Sequence, residues 1–433
     1  MANIYTRIKD IITDNGLFPN PALYSLLMGA VLATIPLDYA FGSITCGVFL
    51  LVVFWAQRKV KITVNKALII PMLFYLLMLL SLFWTKDFKA TVSGLQKEIL
   101  FLLMPVAFLL LQDVGKNVMT GSFRIYSYCM LAYGHYYVIK AAIQYLASGD
   151  KTVFFYHGLV SLDSNAIYVA VFASFALWYF VYYNNKSILE RFAVFFLAVF
   201  IFLLSSKSII FINLLLTAIY FIGFSGIPRK VKFLIIGSIS LLMVFSFVFV
   251  SQIRERFLIE YETAFTDDTI NKENNTITNV SLYQAWNTEQ FHPNNYFPGT
   301  ALRIYQIRIF KEMLSEDPIL FTGYGLEASQ HKIKQKRAEH NLHEGYGDFN
   351  FHNQYVQTFA ELGIFGLLLL ISMLGFTFRN AWLHKDFLHL AFALTMVGLL
   401  LTESFFCRQR GIVFFITLYC MFNTLNPTPK KNQ

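Results

Sequence analysis

The stretch FHNQYVQTFAELGIFGLLLL, residues 351–370, joins a short polar segment to a long apolar one. It begins with a histidine and amide side chains, continues to a glutamate and ends in an apolar run. About 20 apolar residues in a helix cross the roughly 30 Å hydrocarbon layer of a bilayer. The stretch therefore predicts a membrane helix with polar groups at its N-terminal end.

The whole chain of 433 residues shows the same apolar character, with 56% hydrophobic, 17% aromatic and 14% charged residues. A soluble globular protein of this size is far more polar. These proportions, with apolar windows of membrane-spanning length, predict an all-α polytopic membrane protein with about 12 transmembrane helices. The approximate centres of the 12 windows are Met28, Phe49, Leu76, Pro105, Ala132, Ala173, Leu197, Leu215, Leu241, Leu368, Ala393 and Phe415.

Basic residues in the short loops predict the orientation of the chain, because they are retained on the cytoplasmic side. If the N-terminus is inside, the inner loops hold 17 of these residues. The short outer loops hold only six: Lys86, Lys89, Lys151, Lys207, Arg408 and Arg410. We therefore expect both termini to be cytoplasmic. The formal charge of +9 follows from this topology, and nucleic-acid binding is not expected.

One long polar segment, residues 251–350, separates the ninth predicted helix from the tenth and holds 14 acidic and 10 basic residues. The chain therefore divides into residues 1–250 with helices one to nine, residues 251–350 as a large outer loop, and residues 351–433 with helices ten to twelve and a cytoplasmic tail. Within the loop, an amphipathic helix is predicted from Thr300 to Glu316, lying against the membrane-domain surface. Its apolar stripe consists of Leu302, Tyr305, Ile309, Phe310 and Met313.

Three cationic residues on the outer side can bind an anion. Arg303, near the start of the amphipathic helix, can offer a planar fork to phosphate oxygens, strengthened by the helix N-terminus. A solvated or ion-paired arginine is the alternative, and the same holds for Arg308. Lys207, in LLSSKSII, lies in a very short outer turn, so its charge sits at the membrane interface or projects into a cavity.

Histidines near the outer side are candidates for chemistry. His352 begins the tenth predicted membrane helix and is either a helix-end residue or a general base. His157, in the same stretch as Asp163, lies at the outer end of the sixth helix and either lines the same cavity or is a satisfied interfacial group. His340 and His343 have a spacing that can bind a metal, but no acidic or cysteine partner sits at a matching spacing. We therefore expect no metal and no cofactor.

Glu361 follows His352 by nine residues. In a regular helix this places it half a turn out of phase and about 13 Å deeper. A buried carboxylate in a membrane helix needs a partner or a proton, so we expect a structural role for Glu361, through a salt bridge or a hydrogen bond. Gly363 and Gly366 follow it and suit close helix packing.

In their order, these residues resemble the O-antigen ligase and O-antigen polymerase superfamily of bacterial envelope glycosyltransferases. The shared features are an arginine opening an outer amphipathic helix, a later proline and G-x-G turn, and then H-N-x-Y and E-x-G-x-x-G entering a membrane helix. A large loop between the ninth and tenth of twelve helices is also the family layout. The matching residues are Arg303, Pro318, Gly323, Gly325, His352, Asn353, Tyr355, Glu361, Gly363 and Gly366.

The resemblance implies transfer of a glycan from an undecaprenyl-diphosphate carrier to an acceptor hydroxyl at the periplasmic face of the bacterial inner membrane. The acceptor is lipid A-core for a ligase and a second lipid-linked glycan for a polymerase. The catalytic histidine and loop arginine of the family match His352 and Arg303. Lys207 stands where the family has a second arginine and keeps the charge without the bidentate fork. The expected substrate contacts are those of Arg308, Asn353, Tyr355 and His157.

The chemistry of these residues agrees with the resemblance. Cations can hold a departing diphosphate without a metal, and histidine is suited to act as a base near neutral pH. Direct displacement inverts the anomeric configuration. A lipid-linked glycan transporter is the alternative from another class, but such folds usually contain internal repeats, and none is apparent in this sequence. We prefer a ligase to a polymerase, and a protein O-oligosaccharyltransferase of the same superfamily is a further alternative.

Overall fold

The computed structural model describes residues 21–56, 64–111, 115–161, 163–183, 187–233, 236–237, 251–270 and 277–424. Within these ranges the chain is mostly helical, which confirms the all-α class. Two short strands, β1 (Thr278–Asn279) and β2 (Asn295–Tyr296), pair in parallel inside the segment 251–350. The predicted ninth centre, Leu241, lies outside the described residues.

Seventeen α-helices lie within the described residues. In chain order they are α1 (Pro21–Thr34), α2 (Tyr39–Ala56), α3 (Lys66–Leu80), α4 (Phe88–Glu98), α5 (Leu100–Leu111), α6 (Lys116–Ser148), α7 (Tyr156–Leu159), α8 (Ala166–Tyr182), α9 (Ile188–Leu203), α10 (Lys207–Ile219), α11 (Ser251–Phe265), α12 (Leu282–Asn287), α13 (Gly299–Glu316), α14 (Gln330–Glu339), α15 (Gln354–His384), α16 (Phe387–Leu400) and α17 (Gln409–Thr424).

Several of these helices are suited to a bilayer. Among the described residues, five helical segments are long and apolar enough to cross a membrane: Tyr39–Ala56, Lys66–Phe83, Phe88–Leu111, Lys207–Phe224 and Gln354–His384. Three shorter apolar helices, α1, α8 and α16, accompany them. The helices therefore support a membrane protein, while the count of 12 spans stays a prediction.

The last helix, α17, lies in the core of the helical region. All of residues 410–424 are buried, which explains why this segment is apolar on nearly every side. Phe415 packs on Phe406, with ring centroids 4.8 Å apart, and Phe406 packs on Phe101 of α5 at 5.1 Å. These aromatic contacts fix the connection between α16 and α17, which borders the site described below.

The segment 251–350 has an apolar core of its own. Helix α13 begins and ends within one residue of the predicted bounds, Thr300 and Glu316. Its apolar side faces mainly this loop core, so the expectation that it lies against the membrane-domain surface was wrong for most of its length. Phe310 is an exception, because its ring lies 5.2 Å from Phe359 of α15. The loop core includes Val280, Ala285, Phe291, Phe297, Tyr305, Ile309 and Met313.

Helix α15 is broken at Gly363, where the backbone has φ +66° and ψ −166°. A Cβ atom added there would lie 2.2 Å from the carbonyl oxygen of Phe321. The loop backbone enters the break and bonds to it, since the N–H of Gly325 donates to the Glu361 carbonyl at 2.9 Å. Close packing of two helices was therefore the wrong reason for Gly363, because glycine admits a loop there.

Glu361 is buried beside this break, and its Oε1 accepts a hydrogen bond from Nε2 of Gln357 at 2.5 Å. The carboxylate thus has a hydrogen-bonding partner, one of the two kinds that the sequence predicted. A Cβ atom on Gly366 would meet Leu362 of the same helix at 2.4 Å. The tight contact at Gly366 therefore lies within α15, across the break, and not between two helices.

Candidate active site

A cavity of about 380 Å³ opens where the turn after α9, helix α11 and the start of α13 meet. Its charged lining residues are Lys207, Arg256, Glu260 and Arg303. Lys207 and Arg303, nearly a hundred residues apart in sequence, therefore line one cavity. Three cations against one carboxylate give this cavity a net positive charge, which suits an anionic ligand.

Lys207 owes its position to a tight turn between α9 and α10. Ser205 has a left-handed backbone with φ +49°, and this reverses the chain before α10 begins at Lys207. The N-terminus of α10 and the hydroxyl side chains of Ser205, Ser206 and Ser208 border the cavity. Helix N-termini favour anions because their first N–H groups have no partner within the helix.

Arg303 lies in the first turns of α13, and backbone oxygens hold its guanidinium. Its Nε donates to the Thr402 carbonyl at 2.8 Å, and its Nη1 donates to the Gly299 carbonyl at 2.9 Å. Its Nη2 lies 3.5 Å from Oε1 of Glu403. A guanidinium held at these points loses little further freedom when an anion binds, so the cation is preorganised at the rim.

Glu260 is the carboxylate of this cavity. It accepts hydrogen bonds from Nζ of Lys207 at 2.9 Å and from the N–H of Thr300, at the start of α13, at 3.3 Å. Burial alone would raise the pKa of Glu260, but the hydrogen bonds from Thr300 and Lys207 outweigh burial and lower it. An ionised carboxylate thus lies against a helix N-terminus and a lysine, the two groups that an anionic ligand would use.

Arg256 was not predicted from the sequence. Its guanidinium lies 3.7 Å from the centroid of the Tyr156 ring, and its buried Nη1 has no hydrogen-bond partner among the described residues. A buried guanidinium donor without a partner is costly unless a ligand satisfies it. The sequence did carry a signal, because RERF at residues 254–257 puts basic residues directly after the predicted ninth helix.

His352 has an unusual backbone, with φ +46° in the left-handed region, directly before the Asn353 cap of α15. Its side chain is 25% exposed, but its Nδ1 is buried and lies 3.8 Å from Oε2 of Glu403. Its ring also contacts the Phe349 ring edge-on, with centroids 5.6 Å apart. His352 is not one of the residues that line the cavity, and its link to the cavity runs through Glu403.

Glu403, like Arg256 and Glu260, was not predicted from the sequence. It lies between α16 and α17, and its two carboxylate oxygens face Arg303 and His352 respectively. The candidate base and the candidate phosphate-binding arginine therefore share one buried carboxylate. Its sequence signal was a single acidic residue in LTESFFCRQR, a short loop beside apolar helices, where a charge is costly without a partner.

His157 lies close to the cavity but does not line it, whereas its neighbour Tyr156 does. Burial, followed by the positive charges of Arg256 and Arg408, lowers the pKa of His157, so it is neutral near pH 7. Asp163, predicted beside it, accepts through its backbone carbonyl from Arg410 at 2.8 Å. The structure thus places His157 in the second layer around the cavity.

The structure does not bring the other three predicted substrate contacts to this cavity. Arg308 pairs with Glu312 at 2.9 Å and donates to the Thr288 carbonyl. Asn353 caps α15 by accepting from the N–H groups of Tyr355 and Val356. The hydroxyl of Tyr355 donates to the Val397 carbonyl at 3.1 Å. Substrate binding by Arg308, Asn353 and Tyr355 stays a prediction.

His340 and His343 have separate partners within the loop. Nδ1 of His340 lies 3.0 Å from the Tyr305 hydroxyl, and its Nε2 lies 3.3 Å from Glu312. Nδ1 of His343 accepts from the N–H of Gly345 at 3.2 Å. Hydrogen bonding inside the loop therefore accounts for one nitrogen of His343 and both nitrogens of His340.

Comparison with known proteins identifies a related family. No curated protein matches the chain. Residues 192–371 match the family profile described as O-antigen ligase, and this segment contains Lys207, Arg256, Glu260, Arg303 and His352. This match supports the resemblance to the superfamily of O-antigen ligases and polymerases that the sequence motifs indicate.

Proposed function

We propose that the protein is an O-antigen ligase-type glycosyltransferase. It transfers a glycan from an undecaprenyl-diphosphate carrier to a hydroxyl of lipid A-core at the periplasmic face of the inner membrane, with inversion and without a metal. The observation that carries the proposal is one cavity in which Lys207, Arg256 and Arg303 meet two helix N-termini, with His352 joined to its edge by Glu403.

The cavity would bind the diphosphate of the donor. A departing diphosphate gains negative charge as the glycosidic bond to phosphate breaks, and positioned cations stabilise that charge. Arg303 and Arg256 offer guanidinium donors, and Lys207 offers an ammonium group. The Glu260 carboxylate lies where an anion would bind at the start of α13. The incoming diphosphate would replace it as the acceptor of the hydrogen bonds from Lys207 and the Thr300 N–H.

His352 would be the base. Because its Nδ1 is buried on the side of Glu403, Nε2 is the nitrogen left to meet an acceptor hydroxyl. The acceptor oxygen attacks the anomeric carbon and gives its proton to His352, while the bond from that carbon to the phosphate oxygen breaks. The electron pair leaves with undecaprenyl diphosphate, and attack opposite to the leaving group inverts the anomeric centre. Glu403 would position the ring and stabilise its protonated form.

The proposed topology puts both termini in the cytoplasm and residues 251–350 in the periplasm. The basic-residue asymmetry supports this orientation. A membrane-impermeant thiol reagent applied to intact spheroplasts should label Tyr283→Cys in the loop and spare Lys385→Cys between α15 and α16, each compared with the parent chain. The reverse labelling pattern would contradict the orientation.

Deletion of the gene in its host tests the function. We expect lipopolysaccharide with free core, together with intact lipid-linked polymer, and restoration of long-chain lipopolysaccharide by the wild-type gene. Core that carries a single repeat unit would instead identify a polymerase, which the same cavity chemistry also fits. Free core with the lipid-linked glycan retained at the cytoplasmic face would instead favour a transporter.

A further inference from the structure

A second cavity of about 390 Å³ lies beside the first, within the segment 251–350. Tyr296 and Gly299 line both cavities, so the two are neighbours that share one wall. The mechanism proposed above makes no use of this second cavity. We refer to it as the aromatic groove; its principal walls are formed by Pro293, Asn295, Tyr296, His343, Tyr346 and Phe349.

The aromatic groove presents exposed rings on a loop that has an apolar core of its own. Tyr296 is 50% exposed and Phe349 is 40% exposed, whereas the nearby Phe291 and Phe297 are buried in that core. The exposed rings are therefore not needed to complete the loop core. Exposed aromatic side chains beside a cavity mark a site for a ligand with apolar faces.

The walls of the groove are held in place before any ligand binds. The Tyr346 hydroxyl accepts from the N–H of Phe297 at 3.0 Å, and the rings of Tyr346 and Phe349 meet edge-on at 5.8 Å. Asn295 is fixed by its Nδ2, which donates to the Thr278 hydroxyl at 2.8 Å. A preorganised wall loses little entropy on binding.

Polar groups accompany these rings. His343 is exposed, and because its Nδ1 already accepts from Gly345, its Nε2 can donate to a ligand. Asn294 also lines the groove and brings amide chemistry to the wall. A saccharide combines apolar C–H faces, which stack on aromatic rings, with hydroxyl groups that need hydrogen-bond partners. An acyl chain would contact the rings but could not accept a hydrogen bond from Nε2 of His343.

The position of the groove indicates which saccharide it takes. Phe349 contacts the ring of His352, so the groove adjoins the candidate base. The cations that would hold the diphosphate lie on the other side of Tyr296 and Gly299. In a direct displacement the nucleophile and the leaving group stand on opposite sides of the anomeric carbon, so the sugar beside the base is the acceptor.

We propose that the aromatic groove binds the acceptor saccharide, the outer sugars of lipid A-core, and stacks them on Tyr296 and Phe349. This inference rests on the proposed function, since it assigns the acceptor side of the same reaction. It makes Tyr296 and Phe349 determinants of acceptor affinity, separate from the residues that hold the diphosphate.

Steady-state kinetics of the purified full chain test this assignment. Phe349→Ala and Tyr296→Ala should each raise the KM for purified lipid A-core roughly five- to tenfold, because each removes one stacking partner. The KM for the lipid-linked donor should change less than twofold in Phe349→Ala. Tyr296→Phe and Phe349→Tyr, which keep the rings, should stay near wild type. Tyr283→Ala, an exposed aromatic residue of the same loop outside both cavities, is the matched control.

A binding measurement separates this inference from the proposed function. The probe is core oligosaccharide released from lipid A by mild acid hydrolysis, titrated into full-length protein in detergent and followed by saturation-transfer NMR. We expect binding to wild type and to Tyr283→Ala, and loss of binding in Tyr296→Ala and Phe349→Ala.

Equal binding by all four proteins, or none by wild type, would overturn the acceptor assignment even if wild type transfers glycan. A rise in donor KM with acceptor KM unchanged would also overturn it. If the deletion strain shows no ligase phenotype, the proposed function fails on its own, whatever the groove binds.

Discussion

Two residues with positive φ lie eleven positions apart, His352 just before helix α15 and Gly363 within it, and they have different roles. His352 has φ +46°, a region that few residues other than glycine adopt, and its side chain is partly exposed next to Glu403. Gly363 has φ +66°, and a loop carbonyl occupies the space where a side chain would be. At position 352 the side chain is retained despite backbone strain of about 1–3 kcal/mol, while at position 363 the backbone conformation excludes any side chain. A strained backbone that retains an accessible side chain indicates function, whereas a glycine whose missing side chain admits another segment indicates architecture.

Gly363→Ala should have the largest effect, because the new Cβ would clash with backbone that cannot move away. We expect a loss of roughly 3 kcal/mol or more in stability, seen as a failure to obtain monodisperse protein by size-exclusion chromatography in detergent. Gly375→Ala is the matched control in the same helix, since nothing lies within 4 Å of its Cβ position, and it should be neutral. A well-folded Gly363→Ala protein would contradict the role of the break.

Arg303→Ala should lower transfer by roughly 10²–10³-fold without loss of folded protein, because it removes a preorganised donor to the departing diphosphate. Arg303→Lys should recover only part of this loss, since an ammonium group cannot replace the planar fork. Lys311→Ala, at an exposed position on the same helix, serves as the control in the transfer assay. Equal rates for Arg303→Ala and wild type would remove Arg303 from the mechanism.

Lys207→Ala should reduce transfer by roughly 10–100-fold, and Lys207→Arg should stay within a few-fold of wild type, because the positive charge at the start of α10 is preserved. The measurement is initial rate with saturating lipid-linked donor and lipid A-core. The opposite order, with alanine tolerated and arginine not, would show that space at this turn matters more than charge.

The smallest effect concerns Glu260 and pH. The pKa of its carboxyl is lowered in the folded protein, so its stabilising contribution is complete above the ordinary value of 4.5 and is lost as pH falls through the lower folded value. Glu260→Gln should therefore be less stable than wild type at pH 7 by about 1 kcal/mol, with the gap closing as the pH falls from 4.5 through the lowered pKa of the folded state. Thermal unfolding at both pH values checks this, and a gap independent of pH would contradict the assignment.

Much of the helical architecture could be predicted from the sequence, because an apolar window of membrane-spanning length leaves little alternative to a helix. The bounds of α13 could also be predicted from the sequence, since its apolar stripe has helical periodicity. Lys207 and Arg303 were both predicted from the sequence as cations on the outer side that can bind an anion. The structure then places both on one cavity.

The missing parts of the site depend on contacts between distant segments. Arg303 meets Thr402 across 99 residues, and no periodicity within α13 indicates that Glu403 would follow it there. Arg256 lies in a helix that the sequence showed only as the start of a polar loop. The sequence analysis explained Gly363 by close helix packing, and the break in the backbone is apparent only from its φ and ψ angles.

The central claim is that His352 is the base of a glycan transfer. Its most direct test is the transfer rate of purified His352→Ala, shown to be folded by an unchanged unfolding temperature, with lipid-linked donor and lipid A-core both saturating. A positioned base contributes roughly 10²–10⁴-fold, and we expect a loss of that size. A folded His352→Ala protein that transfers glycan at near the wild-type rate would contradict the claim and leave His352 as a helix-end residue.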